Sequence, residues 1–172
     1  MIDLLNLRGV IEIKAQTACF TGHRIIPTED VPAIEFHLQE VISKAIENGY
    51  RFFGAGGALG FDTLAAKSVL TLREKYPDIR LILILPCLYQ TRNWRRYDID
   101  QYELIKKEAD KVVYTSKEYT RDFMSRRNRH LVDNSSLCIC YKTKDTGGTS
   151  YTVRYAKQQG LAILNIATIS KK

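Results

Sequence analysis

The apolar positions of this chain follow two periods in turn. Short runs rich in β-branched, aromatic and aliphatic residues at 17–20, 51–53, 79–85, 111–114, 137–141 and 161–166 read as strands. Between them, apolar residues recur at helical spacing. The clearest case is Ile34, Leu38, Val41, Ile42, Ala45 and Ile46, which share one face of a helix closed by Asn48-Gly49. Further helices are predicted over 62–75, 99–109, 124–133 and 150–159, and Asp30 stands where an N-cap belongs. The nearly unbroken aliphatic run at 79–85 suits a strand covered on both faces.

Strands alternating with helices require crossover connections, and those force parallel pairing of right-handed units. The predicted architecture is therefore α/β: a Rossmann-like, doubly wound, mostly parallel sheet with helices on both faces. At 172 residues, with no linker, repeat or low-complexity tract, one domain is expected over 17–172. Residues 1–16 read as an N-terminal extension or an extra edge strand. They make a poor signal peptide, with Asp3 early and no small-residue cleavage site.

In open parallel sheets, ligands sit outside the carboxyl ends of the strands. What each strand runs into is therefore the informative quantity. The first meets Thr21-Gly22-His23-Arg24, the second a glycine-rich turn from Gly54 through Gly56, Gly57, Ala58 and Gly60 to Asp62. The third meets Pro86-Cys87, and the fifth Asp145-Thr146-Gly147-Gly148-Thr149. Both glycine bends precede helices, whose first amides and positive dipole end suit an anion. The first is neither a dinucleotide fingerprint nor a P-loop: the spacing is wrong, and no Lys-Ser/Thr follows the last glycine. Asp62 either caps its helix or bonds a ribose or base. His23 is the only histidine at a strand end and is assigned to binding or structure rather than catalysis. Trp94, with Tyr89 and Tyr97, either stacks on a base or covers the sheet edge.

Composition narrows the ligand. The formal net charge of +7 favours phosphates, whether on a small nucleotide or on a nucleic-acid strand. Arg126, Arg127 and Arg129 lie on one predicted helix and cannot all face one ligand. No run approaches the ~20 apolar residues of a membrane span, so no membrane partner is expected. Cys19, Cys138 and Cys140 lie inside apolar runs, with Cys138 and Cys140 on one face of a strand and Ile139 on the other. Reduced core thiols, rather than a zinc site, are expected, which points to the cytoplasm. No metal and no cofactor is expected.

Thr21-Gly22-His23-Arg24, Gly56-Gly57-Ala58-Leu59-Gly60-Phe61-Asp62, Leu85-Pro86-Cys87, Arg127-Asn128, Val132-Asp133-Asn134-Ser135 and Gly147-Gly148-Thr149 together resemble the YpsA/YoqJ-like branch of the SLOG superfamily. That superfamily groups the DNA-processing protein DprA (Smf) with the LOG phosphoribohydrolases. The resemblance covers residues 17–167. It implies a Rossmann-like fold and a nucleotide-derived ligand, such as AMP or ADP-ribose, bound by Thr21, Gly22, His23, Arg24, Gly56, Gly57, Ala58, Gly60, Asp62, Pro86, Arg127, Asn128, Asp133, Gly147, Gly148 and Thr149. It also suggests a homodimer, by analogy with related folds. Where LOG hydrolases resemble PGGxGTxxE, this chain has Thr152 at the glutamate position. A glycosidic hydrolase needs a carboxylate there, or Asp62 or Asp133 in its stead. Binding or sensing is thus the leading expectation, with nucleoside-monophosphate hydrolysis and DprA-like single-stranded nucleic-acid binding as alternatives.

Overall fold

A computed structural model of the chain describes residues 4–117 and 120–171. Six strands, β1 (Thr17–Gly22), β2 (Phe52–Ala55), β3 (Arg80–Leu85), β4 (Lys111–Tyr114), β5 (Leu137–Tyr141) and β6 (Ala162–Asn165), form one sheet of order β4-β3-β2-β1-β5-β6. Every pairing is parallel. The helices are α1 (Leu4–Ala15), α2 (Val31–Glu47), α3 (Phe61–Lys75), α4 (Arg96–Glu108), α5 (Phe123–Asp133) and α6 (Gly147–Gln158). The chain winds outward from β1 to β4, then returns to place β5 on the other side of β1. Because crossovers are right-handed, reversing direction moves the later helices to the opposite face. The expected Rossmann-like doubly wound architecture is therefore present, and its topological switch point lies between β1 and β5.

The core divides accordingly. On the α2–α3 face, Ile34, Leu38, Val41, Ile42, Ala45 and Ile46 are all buried, as their spacing predicts. They pack with Phe20, Phe53, Phe61 and Ile139. On the α5–α6 face, Cys19, Cys138 and Cys140 pack with Leu131, Val132, Val153 and Ala156. All four cysteines are buried free thiols. A row of rings runs across the sheet on the first face: Phe20 lies 6.2 Å from Phe53 and 6.5 Å from Phe61, which stacks on Tyr141 at 6.0 Å. Gly22 makes room for Phe61, since a Cβ there would overlap its ring. That slot fixes the start of α3 beside the ends of β1 and β5.

Three local expectations change. Residues 4–15 form a helix, not an edge strand. Arg8 lies 3.6 Å from Glu12 one turn on, a spacing that pairs on a helix face. Helix α4 begins at Arg96 rather than 99, with an Arg96–Asp100 pair at 2.9 Å in its first turns. Helix α6 begins at Gly147 rather than 150. Glycine has poor helix propensity, yet the Thr152 hydroxyl donates to the Gly148 carbonyl at 2.9 Å and the Ser150 hydroxyl to the Asp145 carbonyl at 2.8 Å. Asp30 occupies the N-cap position of α2 without a capping bond, and its carboxylate accepts from Tyr141 Oη at 3.5 Å instead.

Candidate functional site

The ends of β1, β2, β3 and β5 meet at one edge of the sheet, so most of the singled-out residues share that edge. The glycine bend after β2 is tightly filled. Gly57 and Gly60 have positive φ, +65° and +74°, which L side chains rarely adopt. A Cβ on Gly60 would lie 2.6 Å from the His23 carbonyl oxygen, and one on Gly57 would lie 2.5 Å from Leu85 Cδ2. A Cβ on Gly56 would overlap the Arg127 guanidinium. The bend is closed by its own helix: Phe61 N–H donates to the His23 carbonyl at 3.1 Å, and Ala58 N–H to Asp62 Oδ2 at 3.3 Å.

Asp62 makes an ion pair that neither of the two roles open to it in sequence includes. Its carboxylate sits inside the bend and pairs with Arg127 Nη1 of α5 at 3.0 Å, both side chains being about 95 % buried. Burial pushes the Asp62 carboxyl up, while the Arg127 charge and the backbone of Ala58 and Gly56 pull it part of the way back. The carboxylate thereby takes an amide that an incoming anion would need. Arg127 Nη2 faces Met124 Sδ at 3.9 Å, and its Nε has no partner.

Next along α5, Asn128 donates to the Thr152 hydroxyl at 3.0 Å. Thr152 is 2 % exposed, so the position that would carry a hydrolase carboxylate is a buried hydrogen-bonding post. Arg127 and Asn128 thus tie the two glycine bends to adjacent residues of one helix. The second bend differs from the first: nothing lies within 4 Å of a Cβ built on Gly147 or Gly148, and both are exposed, with Thr149 half-buried.

His23 joins β1 to β5. Its Nε2 accepts from Thr143 N–H at 3.0 Å and lies 3.0 Å from the Thr143 hydroxyl, which places the ring proton on Nδ1. Partial burial, then Lys144 and Lys142, lower its pKa and so favour the neutral ring. Thr21 and Pro86 are buried at the ends of β1 and β3. Asp133 does not belong to this group. It lies six residues past Arg127, about 9 Å further along the helix axis, away from the carboxyl edge, and accepts from Tyr155 Oη at 2.7 Å.

Beside the first bend opens a cleft of about 1330 Å³. It is lined by Arg24, Ala58 and Leu59, by Tyr89, Gln90, Arg92 and Trp94 of the loop after β3, and by Met124 at the start of α5. Gln90 Nε2 donates to the Gly57 carbonyl at 2.5 Å and pins this loop to the glycine bend. Arg24 lies over the Trp94 ring at 6.0 Å, and Tyr102 meets that ring edge-on at 5.6 Å. Among the described residues, no carboxylate lines the cleft. Gly147, Gly148 and Thr149 share the sheet edge but are not part of the lining. Arg92, Gln90 and Met124 were not singled out from sequence. The signal was the length of the polar, aromatic stretch at 87–95, longer than most connections in compact domains.

Fold and edge define a doubly wound α/β protein with a basic, aromatic cleft at the carboxyl ends of its strands. The chain belongs to the YpsA family, the YspA SLOG family, whose model matches residues 27–170. Its curated relatives include UPF0398 proteins of Bacillus cereus strain G9842 and Bacillus thuringiensis strain Al Hakam, 29% and 28% identical over 133 residues; each match covers 76% of this chain and 72% of the relative. The fold is similar to DprA from Streptococcus pneumoniae (TM-score 0.62, 16% identity, 88% of this chain) and to DprA from Helicobacter pylori, a structure describing single-stranded DNA binding (TM-score 0.62, 18% identity, 90% of this chain). This chain spans 50% of the first DprA chain and 66% of the second. No helix among the described residues is long and apolar enough to cross a membrane.

Proposed function

We propose that this chain binds a nucleotide-derived ligand, such as AMP or ADP-ribose, in the cleft beside the first glycine bend, as a binding or sensing module. The observation that carries the reading is the composition of that cleft: Arg24 and Arg92 with Trp94, and no carboxylate among its described lining residues. Arginine suits phosphate oxygens, and a base has a face to offer an indole. Arg127 and Asp62 act here as positioning residues, because their pairing shapes the bend that forms the cleft wall. The unfilled amides of Gly147 and Gly148 lie on the same sheet edge and suit a further phosphate oxygen.

Hydrolysis is less well supported. Thr152 is buried and bonded, and Asp62 is engaged by Arg127 and Ala58. The likeness to the Helicobacter DprA fold and the +7 net charge leave single-stranded nucleic acid as the second reading.

One set of measurements separates these. AMP at ~100 times its dissociation constant is expected to add ~2.7 kcal/mol of stability in thermal melts. The exposed Arg24→Ala variant is expected to fold normally and lose that shift. Chromatography after incubation is expected to return intact AMP. Release of free adenine would make the chain a hydrolase. Salt-sensitive retention of oligonucleotides without any nucleotide shift would favour the second reading.

A further inference from the structure

We infer that the ligand of this cleft is a dinucleotide, with two planar bases joined through phosphates. The inference rests on the cleft being a nucleotide site, and it concerns what lies beyond the first base. At about 1330 Å³ the cleft exceeds the roughly 300–1,000 Å³ that holds most single small ligands.

The 87–95 loop offers rings at two stations. Trp94 is backed by Tyr102 and has Arg24 over its ring. Tyr89 also lines the cleft, but it is 67% exposed and stacks on no other ring among the described residues. The two belong to successive tight turns, Arg92 N–H donating to the Tyr89 carbonyl at 3.2 Å and Trp94 N–H to the Thr91 carbonyl at 3.0 Å. Gln90, fixed to Gly57, holds both turns against the glycine bend. Ile25, 90% exposed, adds apolar surface to the same lining. Exposed apolar surface gathered in a cleft marks a place that something covers.

The same lining carries two cations. Arg92 stands between Tyr89 and Trp94 in the chain, and Arg24 lies against Trp94. A ring, a cation and a ring along one loop complement a base, a phosphate and a base. A ligand with one base has one face to stack, whereas the cleft lining holds two rings, Tyr89 and Trp94. A dinucleotide covers both.

The test is calorimetric titration of the intact protein with AMP, ADP and two adenosines joined by a diphosphate. ADP carries the same two phosphorus atoms with one base. The bridged compound is expected to bind about ten-fold more tightly than ADP, the margin that one base–aromatic stack supplies. Tyr89→Ala is expected to bring the ratio of the two affinities close to one, and Tyr89→Phe to preserve it; a melting curve like the wild type's confirms that each variant is folded. Equal affinities in the wild type, or a margin that survives Tyr89→Ala, would overturn the dinucleotide while leaving a nucleotide site in place. Failure of all three compounds to bind would remove the nucleotide reading and this inference with it.

Discussion

The two glycine bends at the carboxyl edge use the same residue for opposite purposes. At Gly56, Gly57 and Gly60 the missing side chain is occupied by others: Arg127, Leu85 and the His23 carbonyl fill the space a Cβ would take. At Gly147 and Gly148 the space is empty. Glycine in the first bend lets a buried ion pair and a backbone crossing close the loop; in the second, Gly147 serves a positive φ of +87° in open space. A glycine-rich turn in front of a helix is therefore not by itself an anion seat. In the first bend the anion is the protein's own, Asp62, and the cleft lies beside the turn rather than in it.

That contrast can be broken most sharply at Arg127. Replacing it with Met leaves Asp62 buried without its partner, and urea unfolding is expected to show a loss of about 3–5 kcal/mol. The loss is expected to depend on pH. Burial already raises the Asp62 pKa in the folded protein, so its contribution to stability falls as pH rises above the ordinary carboxylate range. Without Arg127 that rise is larger, because the charge that opposes it is gone. The gap in melting temperature between wild type and variant is expected to narrow as pH falls toward the ordinary carboxylate range, because a raised pKa lets Asp62 take up its proton and dispense with a partner.

Gly60→Ala forces a side chain to positive φ against the His23 carbonyl, and a loss of about 2–3 kcal/mol is expected in the same unfolding assay. His23→Ala removes a half-exposed bond between the ends of β1 and β5 and is expected to cost about 1 kcal/mol or less. Here acidification works the other way. The His23 pKa is lowered, so the latch is intact above the ordinary histidine value and is lost as pH falls through the lowered one. Gly148→Ala sets the lower end of the scale. With open space and no positive φ, it is expected to change stability by less than about 0.5 kcal/mol, as judged by thermal melting.

Much of this arrangement is legible in the residue pattern, because periodicity reports faces and turn residues report ends. The six apolar residues of α2, the parallel order of strands and helices, and the convergence of β1, β2, β3 and β5 on one edge all follow from spacing. Side-chain direction at the bends does not. Asp62 is compatible with capping or with a ligand until Arg127, 65 residues later, is seen packed on Gly56. Asp133 shares a helix with Arg127 but points to a different end of the molecule, since a motif fixes neighbours in sequence while the helix rise separates them in space. The 87–95 loop has no period, so its role as cleft wall appears only when Gln90 is found bonded to Gly57. Residues 4–15 form a helix where an edge strand is one of two readings, because the segment carries no clear period of either kind.

Trp94 is the only tryptophan in the chain, and it lines the cleft, so its fluorescence reports on that place alone. Titration with AMP is expected to quench its emission along a saturating curve, with a midpoint equal to the dissociation constant from calorimetry. Emission that stays constant while calorimetry registers binding would put the nucleotide somewhere other than the cleft beside the first bend and contradict the account.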